Sequence, residues 1–276
     1  MRLVTLILFA LTALVAGSTA SSQSQSPATF PGAKSLLWVG AHPDDETIAA
    51  PLIARLCIEE GLSCTFLVMT KGEAGRCHLA NGCHPDLGSV RAAEMRRSAR
   101  LFGAELNQWS LPDGGGISGW TAASGSHDAL IGRVTSLIRK VNPDIVLTFD
   151  PRHGSTCHPD HGATGDIVLE SVHRLPRQPT VYLLETVVTG STSPFSISFS
   201  PGAPASAGAL GFDANQALRA RPTTAWQFTV WVAQTHASQF DAAAVRGLAK
   251  LPSKQRVVFV APAALALTSD SVFSCN

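Results

Sequence analysis

The chain opens with an apolar run over 3–15, broken only by Thr5 and Thr12, and a polar tract at 21–26 follows it. Beyond that, two periodicities alternate. Short continuous apolar runs that suit buried strands occupy 36–40, 64–69, 108–111, 145–149 and 181–188. Between them, apolar positions at helical spacing predict helices over 46–60, 89–102, 127–141 and 162–175. Gly61 and Gly103 stand where the first two should stop. From 190 to 222 the pattern fades into Ser, Pro, Gly and Ala, with one strand expected at 195–199. The last fifth predicts a helix over 231–251 and a strand over 256–261. Strands alternating with helices imply βαβ units, hence a single α/β domain with a mainly parallel sheet and helices on both faces.

Composition narrows the class of protein. Of 276 residues, 45% are apolar and 15% charged, and 21 Lys and Arg against 20 Asp and Glu leave a net charge of +1. So apolar and balanced a chain is not a disordered one, and it gives no electrostatic reason to expect nucleic acid or an anionic membrane as partner. The first twenty residues have the layout of an export signal. Arg2 supplies a positive start, the apolar run is too short to span about 30 Å of hydrocarbon, and Gly17-Ser18-Thr19-Ala20 offers small residues for cleavage near Ala20. The expected organisation is a signal peptide over 1–20, a linker over 21–33 and one domain over 34–276, secreted or periplasmic. All six cysteines lie beyond the cleavage point, and an even number in an oxidising compartment suggests disulfides. The short loops Cys57–Cys64 and Cys77–Cys83 are the easiest to close, which leaves Cys157 with Cys275. No C-x-x-C pair argues for a thiolate zinc site.

The chemistry is concentrated in two places. Ala41-His42-Pro43-Asp44-Asp45-Glu46 follows the first strand and opens the first helix, where open α/β sheets bind ligands. His42 and Asp45, three residues apart across a turn, can face one point and bind a divalent metal, and Asp44 between them need not be a ligand. Helix capping would explain one of these carboxylates but not the set. Cys157-His158-Pro159-Asp160-His161 likewise stands between a buried strand and a helix, over the same sheet edge. One His from it would complete three protein ligands, and three ligands plus water is the arrangement of a catalytic zinc. Imidazole and carboxylate donors fit zinc best. No G-x-G-x-x-G follows the first strand, so a nucleotide cofactor is not expected. Gly114-Gly115-Gly116 is taken for a flexible rim. His78, His84, His127, His153 and His173 are taken for solvated or hydrogen-bonded residues, although His153 shares a loop with His158. Trp38 is assigned to the core. Trp109 and Trp120 flank the proposed mouth, where packing is the expected role of each.

Four further motifs stand in order with these two: Thr70-Lys71-Gly72-Glu73-Ala74-Gly75, Arg91-Ala92-Ala93-Glu94, Leu111-Pro112-Asp113-Gly114 and His236-Ala237-Ser238-Gln239. Over about 36–239, the six together resemble the PIG-L/LmbE-like family of zinc-dependent de-N-acetylases. The resemblance implies a Rossmann-like α/β fold and removal of the N-acetyl group from an N-acetylglucosamine-type sugar or glycoconjugate. It makes His42, Asp45 and His161 the zinc ligands, Asp44 the general base, and His158 a cation that stabilises the oxyanion. Asp160 would orient a histidine, while Arg91, Asp113 and Glu73 would contact substrate. Some members carry a tyrosine where this chain has Thr156, and the only tyrosine here, Tyr182, lies elsewhere. Two other readings are a zinc amidase acting on another small amide and a secreted, metal-containing sugar-binding protein without turnover. Asp44 weighs against the latter, since a binding module has no need of a free carboxylate between two ligands. The expected partner is a small N-acetylated sugar, and the sequence leaves the oligomeric state open.

Overall fold

The computed structural model describes residues 29–186, 189–190, 197–198, 209–268 and 275. The expected signal peptide and residues 21–28 of the expected linker lie outside the described residues, as do 187–188 at the end of the fifth expected strand. Residues from Gly32 onward form one compact unit.

The runs at 36–40, 64–69 and 145–149 become strands for the reason their pattern suggests, burial on both faces, while the run at 108–111 forms a half-buried edge strand. The strands are β1 (Ser35–Gly40), β2 (Ser63–Thr70), β3 (Glu105–Leu111), β4 (Ile145–Phe149), β5 (Thr180–Leu184), β6 (Leu210–Asp213) and β7 (Val257–Pro262). They form one seven-stranded sheet in the order β3-β2-β1-β4-β5-β7-β6. The first five are parallel, whereas β7 runs antiparallel to β5 and β6 antiparallel to β7. Strand β1 lies between β2 and β4, so the chain turns to opposite sides of β1 on its way out. That reversal opens a crevice at the carboxyl ends of β1 and β4.

Helices cover both faces. On one lie α3 (Gly116–Ser124), α4 (His127–Val141) and α5 (Pro159–His173), which pack Trp120, Leu130, Val134 and Ile167 against Leu37, Val39, Leu67 and Val146. On the other lie α1 (Glu46–Ala54), α2 (Leu87–Phe102) and α6 (Ala225–Thr235). There Phe102 stands between Phe66 and Phe228, with ring centroids 5.3 and 5.1 Å away. The three disulfides pair as loop length suggests: Cys57–Cys64, Cys77–Cys83 and Cys157–Cys275. No helix of the described residues is long and apolar enough to cross a membrane.

Four expectations need correction. The helix over 231–251 is two, α6 and α7 (Ala242–Ala249), because Asp241 caps the second by accepting the N–H groups of Ala243 and Ala244. Between them His236 and Ser238 turn inward. The glycine run at 114–116 leads directly into α3, whose Trp120 is fully buried and donates to the Pro112 carbonyl. Helix α5 starts at Pro159 rather than Gly162, with proline at its favoured first position and His158 as cap. In the faded region, β6 went unforeseen, and Ile197–Ser198, all that is described of the strand expected at 195–199, pairs with Thr189–Gly190.

Close packing of α5 on β4 depends on Gly165. A Cβ there would meet the Phe149 carbonyl oxygen at 2.5 Å and the Pro151 nitrogen at 3.0 Å. Gly165→Ala is expected to destabilise the fold by about 1–3 kcal/mol through overpacking. Gly132→Ala, on α4 with nothing within 4 Å, is expected to stabilise it by about 0.5–1 kcal/mol. Thermal denaturation of the two variants checks the contrast.

Candidate metal centre and its cleft

The site is assembled by the turn after β1 and the loop after β4. Asp45 splits its carboxylate between two tasks. Its Oδ2 accepts the backbone N–H groups of Ala41 and His42, both at 2.7 Å. Its Oδ1 faces His161 Nε2 at 3.0 Å and His42 Nδ1 at 3.6 Å, and these two ring nitrogens are 3.2 Å apart. Neighbours settle the tautomers. His161 Nδ1 lies 2.8 Å from the Gly154 carbonyl, which can only accept, so Nδ1 carries the proton and Nε2 presents a lone pair. His42 Nε2 lies 3.1 Å from Asp160 Oδ2 and 3.0 Å from Asp113 Oδ1, so it donates and Nδ1 is bare. Two lone pairs and a carboxylate oxygen therefore converge with no donor among them. Such a set fits a divalent cation, and the carboxylates behind His42 orient the ring as outer partners of a metal ligand do.

Electrostatics agree. Burial opposes a charge on His42, but Asp45, Asp113 and Asp160 outweigh it and raise its pKa well above the usual imidazole value. Burial likewise opposes ionisation of Asp45, yet His161 and His42 hold it well below the ordinary carboxylate range. Both shifts express the close pairing of carboxylates and imidazoles at this point.

Asp44 stands beside this set without belonging to it. Its φ of 106° is a region that side-chain-bearing residues rarely adopt. Arg91 Nη2 grips its Oδ1 at 3.0 Å, and burial raises its pKa despite that guanidinium. His158 is exposed and its ring lies edge-on to His42, with centroids 4.6 Å apart. Its Nδ1 accepts the Asp160 N–H at 3.2 Å, which leaves Nε2–H as the donor of the neutral ring. Desolvation, with His42 and His161 close by, lowers its pKa.

A cleft of about 440 Å³ opens over these groups, lined by His42, Asp44, Asp45, His158, His161 and Arg91 among others. Three residues expected to touch substrate also have partners within the protein. Arg91 is buried and donates to the carbonyls of Gly72 and Pro43 as well as to Asp44. Asp113 lines the cleft but accepts from Ala74 N–H and faces His42. Glu73 lies outside the lining and accepts the Asp113 N–H at 3.2 Å. Asp160 orients His42, as expected of a second-layer carboxylate, and the N–H groups of Gly114 and Gly116 hold it in turn. Thr156 places its hydroxyl 2.9 Å from His161 Nδ1. His78, taken for a bystander, lines the cleft. His153 faces Asp150 and Glu185 away from the ligand set, and that buried group already holds the Arg152 guanidinium. Sequence reasoning gave no role to Glu46 or to His236, whose Nε2 lies 2.6 Å from Glu46 Oε1.

Comparison with known proteins adds identity to this geometry. The model of the PIG-L family, described as GlcNAc-PI de-N-acetylase, matches residues 37–172, a stretch containing His42, Asp45 and His161. This chain belongs to the PIG-L family. It is similar to a probable N-acetyl-alpha-D-glucosaminyl L-malate deacetylase 2 of Bacillus cereus, with 29% identity over 56% of this chain and 68% of that one. It is also similar to a 1D-myo-inositol 2-acetamido-2-deoxy-alpha-D-glucopyranoside deacetylase of Rhodococcus opacus, with 31% identity over 50% of this chain and 52% of that one. The match thus spans about two thirds of the first relative and half of the second. In fold it resembles the N,N'-diacetylchitobiose deacetylase of Pyrococcus horikoshii, with a TM-score of 0.58 and 19% identity over 84% of this chain and 85% of that one.

The PIG-L site is expected to take up one divalent ion per chain. His42→Ala, Asp45→Asn and His161→Ala should each abolish uptake. Affinity should fall as pH falls, because protons compete for the ligand atoms. Stripping the ion should lower the melting temperature, by the linkage that makes any native-state ligand stabilising. Elemental analysis and thermal denaturation with and without chelator check this.

Proposed function

We propose that this PIG-L protein is a zinc-dependent hydrolase that removes the N-acetyl group from an N-acetylglucosamine-type sugar or glycoconjugate, acting outside the cytoplasm after cleavage near Ala20. The observation that carries the reading is Asp44, a carboxylate on the cleft wall, next to the ligand set but held off it by Arg91. The two-nitrogen, one-oxygen donor set of His42, Asp45 and His161 supports zinc. The names of both relatives specify an acetylated glucosamine unit, which supports the sugar. The apolar leader and the three disulfides support export.

A zinc ion bound at this set supplies Lewis acidity, which polarises an amide carbonyl and lowers the pKa of bound water from about 16 to about 7. The chain's own groups do the rest. Asp44 takes a proton from the attacking water and can return it to the leaving amine, and its raised pKa brings it nearer the working pH of such a shuttle. His158 donates Nε2–H to the oxygen on which negative charge develops. Asp160 and Asp113 keep His42 in the tautomer that faces inward.

Asp44→Asn should keep the metal and lose roughly two to four orders of magnitude in turnover, the usual contribution of a positioned base. Asp45→Asn should lose metal and activity together. Amine release from a panel of N-acetylglucosamine conjugates, measured beside metal content, checks both. Metal-loaded Asp44→Asn with most of its activity intact, or a wild-type protein inert towards every acetylated sugar, would overturn the reading.

A further inference from the structure

The H-x-S-Q run at 236–239 contributes no atom to the ligand set, yet its His and Ser are fully buried and paired with carboxylates. His236, at the end of α6, donates Nε2–H to Glu46 Oε1 at 2.6 Å, and the same oxygen accepts the Ser98 hydroxyl at 2.5 Å. Its Nδ1 has no hydrogen-bond partner among the described residues, so Glu46 alone orients the ring by hydrogen bonding. The second oxygen of Glu46 accepts the backbone N–H of Asp44 at 3.2 Å.

Asp44 needs that support. Its φ of 106° is strained for any residue with a Cβ, and such a conformation persists only where its surroundings over-determine it. Arg91 fixes the side chain. The carbonyl accepts the Thr47 N–H at 2.9 Å, as the first turn of α1 requires. The N–H is fixed by Glu46 alone, and Glu46 is set in place by His236, 190 positions away, together with the Ser98 hydroxyl. Ser238 offers an internal comparison. It comes from the same segment, is as deeply buried, and gives its N–H and hydroxyl to Glu94 at 2.9 and 2.5 Å. Glu94 makes no hydrogen bond to the turn over 41–45 among the described residues.

We propose that His236 is a positioning residue for deacetylation: through Glu46 it holds the backbone of Asp44 in the conformation that presents the carboxylate to the cleft. The proposal rests on the reading of Asp44 as the proton acceptor. It separates the two anchors of one segment, since Ser238 secures the fold while His236 secures the fold and the base.

The test uses the metal-loaded full-length protein and its variants His236→Ala, His236→Gln and Ser238→Ala, with folding checked by circular dichroism. His236→Ala should lower kcat by roughly 10- to 100-fold, the size typical when an outer partner of a catalytic group is removed, with KM and metal content unchanged. Gln, whose amide can reach the same oxygen, should recover most of kcat. Ser238→Ala should melt earlier and keep its kcat. Hydrogen exchange at the Asp44 amide should quicken in His236→Ala and stay slow in Ser238→Ala. Where Ala does not fold, His236→Phe removes the donor while filling the space. Unchanged kcat or unchanged Asp44 exchange in a folded variant lacking the donor overturns the proposal, as does Ser238→Ala matching it in both. A wild-type protein without turnover would overturn the functional reading instead, and the exchange measurement would still decide whether His236 holds Asp44.

Discussion

Much of this structure is arranged around one electrostatic problem: three electron-rich atoms that should repel are held face to face. Asp45 Oδ1, His42 Nδ1 and His161 Nε2 lie 3.0–3.6 Å from one another. Each owes its direction to a hydrogen bond on its far side. Backbone N–H groups fix the other oxygen of Asp45, the Gly154 carbonyl fixes His161, and two carboxylates fix His42. A cation placed among them would relieve the repulsion. The sheet makes the arrangement feasible. Since β1 has β2 on one side and β4 on the other, the turn after β1 and the loop after β4 meet at one crevice, though 119 residues separate His42 from His161.

What could be read from the sequence follows from how local each cause is. The buried strands of the parallel part were legible because burial on both faces writes itself as a continuous apolar run. The convergence of His42, Asp45 and His161 was legible because both motifs stand after buried strands, at one edge of a parallel sheet. Element ends at 159 and at 235–242 were missed because caps and inward-turning side chains decide them, not periodicity. The antiparallel edge was missed for a different reason: β6 pairs with β7 from 44 or more residues away, and its own sequence carries no strong pattern.

The residues expected to contact substrate show a part of the arrangement that sequence could not resolve. Arg91, Asp113 and Glu73 are charged residues beside a cleft, which suits either touching a ligand or bracing the residues that do. Sequence does not distinguish these, because the difference lies in which partner is nearest. In the folded chain the nearest partners belong to the protein: Arg91 takes Asp44, Asp113 takes His42, and Glu73 takes the backbone of Asp113. Arg91 and Asp113 thus brace Asp44 and His42 while also lining the cleft.

Such bracing also explains why a helix far along the chain belongs to the chemistry. A proton acceptor next to a metal ligand must be near the ion without binding it. On adjacent residues this requires a backbone that turns one carboxylate away from the other. A positive φ at Asp44 achieves it and is costly, on the order of 1–3 kcal/mol for a residue with a Cβ. Part of the offset is local, from the N–H groups that Asp45 accepts and from the Thr47 N–H on the Asp44 carbonyl. The rest comes from Arg91 on α2 and from Glu46, which His236 steadies at the end of α6. The part of the fold that supplies no ligand is thus needed to keep a ligand and a base apart on neighbouring residues.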